Sequence, residues 1–139
     1  MAEPFIWRVR VYYEDTDVSG VVYHAGYLRF LERARTEWLR ALGHGQEQLR
    51  LGTGLAFTVA NMEIDFLKPA RLDDELDITV EVEQVRAASL KLNQTVRRRS
   101  DAALLTRAHV RVGCVEAASF KPCAIPAGMF PKNTTEKAA

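Results

Sequence analysis

The chain has 139 residues, of which 47% are hydrophobic and 27% charged, a balance that fits one globular domain over residues 1–139 and excludes a disordered polymer. Nineteen Lys and Arg against eighteen Asp and Glu leave a formal charge of +1, too little for a general grip on nucleic acid or an anionic membrane. The longest uncharged stretch, residues 51–62, is too short for a membrane-spanning helix and contains Gly, Thr and Asn, so no membrane insertion is expected.

Residues 5–13 are rich in aromatic and β-branched side chains and predict a first strand. Glu3, Arg8 and Arg10 surround its Phe-Ile-Trp cluster, which leaves no apolar core for a signal peptide. Residues 14–26 carry the Asp, Thr, Ser and Gly of a loop. Leu28, Leu31, Trp38 and Leu42, widened by Ala34 and Leu39, then fall at helical spacing and predict a helix over 27–42, with Gly43 as its stop. Residues 46–51 read as a short helical turn, and Gly52 and Gly54 as a turn without the features of a phosphate loop. A strand over 57–67 stops at Lys68-Pro69.

The cleanest period lies in residues 75–86, where Leu76, Ile78, Val80 and Val82 point one way and Asp77, Thr79, Glu81 and Glu83 the other. Leu90, Leu92, Gln94 and Val96 repeat the alternation, as do Ala108, Val110, Val112 and Cys114, with links of hairpin length between them. The polar, small residues at the far end predict a tail from about residue 128 to 139. A one-sided sheet needs a cover, and one long helix supplies it. The fold class is therefore α+β: a curved antiparallel sheet of about five strands wrapped around a central helix. Cys114 and Cys123 make neither a zinc site nor a disulfide framework and read as reduced, structural thiols of a cytoplasmic protein, with no metal expected.

The densest chemistry precedes the helix, in Tyr12-Tyr13-Glu14-Asp15-Thr16-Asp17-Val18-Ser19-Gly20-Val21-Val22-Tyr23-His24-Ala25-Gly26-Tyr27. A helix N-terminus offers unpaired N–H groups to a developing oxyanion, and an acid beside it can attack a carbonyl or activate water. Acids before a helix also serve as caps and turn residues, and the residues alone leave both roles open.

The run Tyr13-x-x-x-Asp17-x-x-Gly20-x-Val22-Tyr23-His24-x-x-Tyr27 resembles the signature of the 4-hydroxybenzoyl-CoA thioesterase branch of the hotdog-fold family. Glu32-Arg33-Ala34-Arg35-Thr36-Glu37 and Pro69-Ala70-Arg71-Leu72-Asp73-Asp74 resemble its Tol–Pal-associated acyl-CoA thioesterase subgroup, and the similarity extends from Arg8 to about Pro126. The resemblance implies a hotdog thioesterase that splits acyl-CoA into free acid and coenzyme A, with Asp17 as nucleophile or general base. His24 and Tyr13 match assisting residues. Gly20, Val22, Tyr23, Ala25 and Gly26 match the loop-to-helix backbone that holds and polarises the thioester carbonyl. Gly26 departs from relatives that commonly carry Asn there.

The densest basic run, Arg97-Arg98-Arg99, reads either as a solvated strand end or as a contact for the nucleotide phosphates of coenzyme A; Lys68, Arg71 and Lys91 share the second role with Arg97. RNA binding is disfavoured because no aromatic platform accompanies the run. His109 reads as a surface or interface residue, His44 as a loop residue, and Glu32 and Glu37 as solvent or interface charges. The resemblance further implies no cofactor beyond the coenzyme A of the substrate, acyl carrier protein as a second thioester donor, and homodimers that pair into homotetramers. It implies short-to-medium aliphatic acyl chains, with aroyl-CoA behind. The rival expectation is a non-catalytic acyl-thioester-binding scaffold of the cell-envelope Tol–Pal system.

Overall fold

The strand alternation becomes a sheet with one buried face. In the computed structural model, which describes residues 3–130, the elements are β1 (Phe5–Arg10), a short 3-10 turn (Tyr13–Asp15), α1 (His24–Ala41), α2 (Gln46–Thr53), β2 (Leu55–Phe66), β3 (Glu75–Val85), β4 (Ser89–Arg98) and β5 (Leu104–Glu116). The five strands form one antiparallel sheet in the order β1-β3-β4-β5-β2, which leaves β1 and β2 at the edges. Leu76, Ile78 and Val80 of β3, Leu90, Leu92 and Val96 of β4, and Ala108 and Val110 of β5 are buried on the inner face. The outer face carries an ion-pair ladder: Arg8 meets Asp77 at 3.0 Å, and Arg10 and Arg99 both reach Glu75, at 3.5 and 3.3 Å. This is the hotdog arrangement, with α1 as the filling.

α1 buries Tyr27, Phe30, Leu31, Ala34, Trp38 and Leu39 against the inner face. Each large apolar side chain buried this way contributes about 1.5–3 kcal/mol relative to exposure. Two sequence expectations change here. Leu28 is 44% exposed, because the buried stripe is centred on Phe30 and Leu31 and position 28 lies beside it. The helix also starts at His24 and not at residue 27, so His24, Ala25 and Gly26 belong to its first turn.

β1 ends at Arg10, short of residue 13, for a local reason. The Asp15 carboxylate accepts the Tyr12 N–H at 2.8 Å and bends the chain into the 3-10 turn. Inside the fold, Gln94 is fully buried and donates its Nε2 to the Leu31 carbonyl at 3.1 Å, while the Arg35 guanidinium donates to Gln94 Oε1 at 3.0 Å. The buried amide thus ties α1 to β4, as a buried polar group must find partners.

The expected tail from residue 128 is corrected at its start: Met129 and Phe130 are buried, and the Phe130 ring stacks on Trp38 at 5.4 Å. Residues 131–139 of that segment lie outside the described residues. Cys114 and Cys123 are free thiols with their sulfurs 3.7 Å apart. Among the described residues no helix is long and apolar enough to cross a membrane.

Candidate active site

Asp17 heads a tight turn. Its carbonyl accepts the Gly20 N–H at 3.0 Å, its own N–H donates to the Val21 carbonyl at 3.0 Å, and Gly20 takes φ +82°, which favours glycine. Ser19 donates its backbone N–H to Asp17 Oδ1 at 2.8 Å and its hydroxyl to the same oxygen at 2.5 Å. The Asp17 side chain is exposed. The Ser19 hydroxyl and the Ser19 N–H chiefly hold its carboxyl below the usual carboxylate range, against the opposing effect of burial, with lesser help from the Val21 N–H and the nearby His24 ring. Asp17 is thus a carboxylate at neutral pH.

The turn is anchored to the segment between β2 and β3. Val22 donates to the Ala70 carbonyl at 2.9 Å, Val21 bridges to Arg71, and the buried Tyr27 hydroxyl accepts the Ala70 N–H at 2.9 Å. Behind it, Arg98 donates to Asp74 at 3.1 Å, to the Pro69 carbonyl at 3.0 Å and to Asp101 at 2.9 Å. Tyr23 caps α1 in an extended conformation without a side-chain hydrogen bond. Gly26 gives its N–H to the Tyr23 carbonyl at 2.8 Å, and a helix leaves its remaining first-turn N–H groups, here those of His24 and Ala25, without a partner within the helix. A Cβ at Gly26 would stand 3.0 Å from Val22 Cγ1, so the close approach of loop and helix depends on the missing side chain.

The His24 ring is exposed and packs edge-on against Phe66 at 5.0 Å, and Phe66 in turn packs against Tyr27 at 5.5 Å. From there an open groove of about 800 Å³ runs along α1 and the edge strand, lined by His24, Leu28, Glu32, Arg35, Ile64 and Phe66 among others. The groove therefore begins at the first turn of α1, where the Asp17 carboxylate lies within electrostatic reach of His24. That arrangement can hold a carbonyl, supply an attacking oxygen and take up an apolar acyl group.

The structure gathers Asp17, Gly20, Val22, Tyr23, His24, Ala25 and Gly26 into the loop and first turn of α1. Arg71 lies against that loop through Val21, and Lys68 follows Phe66 by two residues. Tyr13 opens the 3-10 turn with its ring 83% exposed, and among the described residues its hydroxyl makes no hydrogen bond. Arg97 donates to the Ala102 carbonyl at 3.1 Å in the β4–β5 turn. Lys91 is set apart: it lies near the other end of β4, paired in register with Arg111 and grouped with Glu83 and His109 on the outer face. At about 3.3 Å per residue it is about 20 Å from Arg97.

Ser19, Phe66 and Leu28 join the site without having been singled out in the sequence. The Asp-Val-Ser-Gly turn carried a usable signal for Ser19, since an Asp side chain commonly accepts the N–H two residues on. Phe66 and Leu28 carried none beyond apolarity. Among the described residues no three His, Cys, Asp or Glu side chains converge to hold a metal.

Residues 19–104 match the thioesterase superfamily, 4HBT. The acyl-CoA thioesterase YbgC of Haemophilus influenzae is 47% identical over 122 residues, covering 88% of this chain and 88% of that one. The crystal structure of a probable thioesterase from Bartonella henselae superposes with a TM-score of 0.83 at 35% identity, over 89% of this chain and all (100%) of that chain. A 1,4-dihydroxy-2-naphthoyl-CoA thioesterase from Synechocystis superposes with a TM-score of 0.82 at 26% identity, over 89% of this chain and 90% of that one.

Proposed function

Because the chain belongs to the thioesterase superfamily and is a thioester hydrolase, we propose that its substrate is acyl-CoA and that Asp17 and the N-terminus of α1 carry the reaction. The observation that carries the assignment of roles is the ionised, exposed Asp17 carboxylate, held by Ser19 beside an uncapped helix N-terminus.

A thioester needs little help at sulfur, because the thiolate is a good leaving group. The site has to supply an attacking oxygen and to stabilise the oxyanion. The carbonyl oxygen docks on the first-turn N–H groups of His24 and Ala25, where the partial positive charge of the helix end favours developing negative charge. On the nucleophilic route Asp17 attacks the carbonyl carbon, the C–S bond breaks, coenzyme A leaves as thiolate, and water hydrolyses the resulting anhydride. On the general-base route Asp17 takes a proton from the attacking water. A single turnover in ¹⁸O-labelled water separates them where water attacks the Asp17 carbonyl of the anhydride: the label then enters the Asp17 carboxylate and the acid leaves unlabelled, whereas the general-base route puts the label in the acid. His24 sits at the mouth, close enough for its charge to act on Asp17, and orients the attacking water or the carboxylate. Tyr13, on the same loop, is assigned an assisting role at the outer rim.

Lys68 and Arg71 flank the mouth and are assigned to the phosphates of coenzyme A, with Arg97 further along the same end. Lys91, at the other end of β4, is the member of that set farthest from Arg97. The phosphopantetheine arm shared with coenzyme A makes acyl carrier protein a second donor. The reading includes homodimers, paired into homotetramers: β2 is an unpaired edge whose Val59 and Phe66 are 43% and 46% exposed, and a second copy along it would wall the open groove. A cytoplasmic site of action and a link to the Tol–Pal envelope system complete the proposal.

Thiol release from a panel of acyl-CoAs by wild type and Asp17→Asn tests it. Loss of at least about a hundredfold in kcat in Asp17→Asn supports the assignment. Equal, negligible rates on every chain length, with ligand still bound, favour the non-catalytic scaffold.

A further inference from the structure

The groove beside His24 follows one face of α1, where Ala25, Leu28, Glu32 and Arg35 succeed one another at helical spacing. Under the helix it meets a smaller cavity of about 120 Å³ walled by Trp38, Phe57, Leu92 and Phe130. Glu32, Arg35 and Val59 line both spaces, and no other Arg or Lys lines either. Arg35 is half-buried. One of its five N–H donors goes to Gln94, and among the described residues it forms no ion pair. Burial lowers its pKa, and the charge of Glu32 partly offsets this. Glu32 stands one turn earlier, exposed, with its carboxylate accepting the Thr36 hydroxyl at 2.7 Å. A donor and an acceptor thus share the far end of a mostly apolar groove, with the Gln46 amide, which donates to the Thr36 hydroxyl at 3.1 Å, on the wall of the smaller cavity.

We propose that Arg35 and Glu32 recognise a hydroxyl group at the distal end of the substrate's acyl chain, Arg35 donating to its oxygen and Glu32 accepting its O–H. The inference rests on the thioester-hydrolase reading above, which puts the carbonyl at the N-terminus of α1. From His24 to Arg35 the helix rises about 16 Å at about 1.5 Å per residue, and the Arg side chain, leaning back toward the N-terminus, shortens that span. The reach suits a medium-length chain and is too long for a single hydroxylated ring next to the carbonyl. A methyl terminus leaves the Arg35 donors unanswered. A terminal carboxylate answers them and meets the charge of Glu32. A hydroxyl alone satisfies both.

The test compares kcat/KM for octanoyl-CoA, ω-hydroxyoctanoyl-CoA and octanedioyl-CoA, read as thiol release from the full chain. Wild type is expected to favour the hydroxylated substrate over both others by at least about tenfold. Arg35→Met brings the hydroxy-to-alkyl ratio close to one, and Glu32→Gln raises octanedioyl-CoA relative to the other two. The ratio is the readout, because a purely structural Arg35 would lower all three rates together. Arg35→Lys and Glu32→Gln carry the test if Arg35→Met does not fold. Hydrolysis without a hydroxyl preference, or a preference that survives Arg35→Met, overturns the inference while leaving the hydrolase reading intact. No thiol release from any of the three overturns both.

Discussion

Ser19 binds one oxygen of Asp17 twice, through its backbone N–H at 2.8 Å and its hydroxyl at 2.5 Å. The Val21 N–H adds a weaker pull on the same carboxylate, which remains exposed. The Ser19 clamp has a cost in basicity, since both of its bonds favour the charged form.

Ser19→Ala removes the hydroxyl and keeps the N–H. The Asp17 pKa is lowered in the folded chain, so the catalytic form is present above that pKa and is lost as pH falls through it. Without the hydroxyl the pKa rises toward its ordinary value. The acid limb of the kcat/KM profile is therefore expected to move to higher pH in Ser19→Ala. An unmoved limb, measured across the acid range on one substrate, would show that the clamp does not tune the reacting group.

Arg98 supports the site without touching it. Its guanidinium holds Asp74, Asp101 and the Pro69 carbonyl, and Asp74 in turn accepts the Arg71 N–H at 2.9 Å. Arg98→Met leaves Asp74, only 20% exposed in its side chain, without its cation. A loss of about 1.5–3 kcal/mol in unfolding free energy is expected, read by urea titration. A fall in kcat should accompany it if Asp17 carries the reaction, because Ala70 and Arg71 anchor the Asp17 loop. Arg98→Lys should recover part of the stability and little of the Asp74 geometry.

Much of the sheet was legible because β3, β4 and β5 each carry their own period: Leu76, Ile78 and Val80 need no knowledge of a partner strand to be read as one face. The start of α1 was not legible, since Tyr23 offers no capping side chain and Gly26 looks like loop chemistry. Leu28 shows the limit of spacing arguments. It satisfies a helical period as well as Leu31 does, and only the placement of the sheet decides that Phe30 is inside and Leu28 outside. Asp17 and His24 stand out through a motif, whereas Arg71 and Lys91 differ only in topology. Equal as basic residues in the sequence, one is stitched to the Asp17 loop and the other lies on the far outer face. The place of Arg35 was not legible, because its partner, Gln94, comes from a strand far along the chain.

Gly26 is predicted to be a packing glycine. Its replacement by Ala gains helix propensity of up to about 1 kcal/mol and puts a methyl 3.0 Å from Val22 Cγ1. Val22 is 5% exposed and held by its backbone bond to Ala70, so it has little room to yield. Overpacking of this kind costs about 1–3 kcal/mol and outweighs the gain. Gly26→Ala should lower the melting temperature by several degrees and raise KM, because any shift of Val22 moves the loop that carries Asp17. A melting temperature above wild type would mean that the loop gives way freely.

The two thiols should differ sharply in reactivity although their sulfurs are 3.7 Å apart. Burial first, then the hydrogen bond and charge of Cys123, push the Cys114 thiol up to about 11. Cys114 is fully buried on β5 under the Val115–Pro122 bridge, and Cys123 is partly exposed. Since the thiolate is the reacting species, an aromatic disulfide reagent in mildly alkaline buffer should consume Cys123 first and Cys114 more than about tenfold more slowly. Cys114→Ser should keep only the fast phase and Cys123→Ser only the slow one, with the slow rate following unfolding as denaturant is added. Equal rates in the two variants would place Cys114 in contact with solvent, and the segment over it, held to β5 by the Cys123 N–H to the Cys114 carbonyl at 3.0 Å and by the Val115–Pro122 bridge, would then have to lift readily.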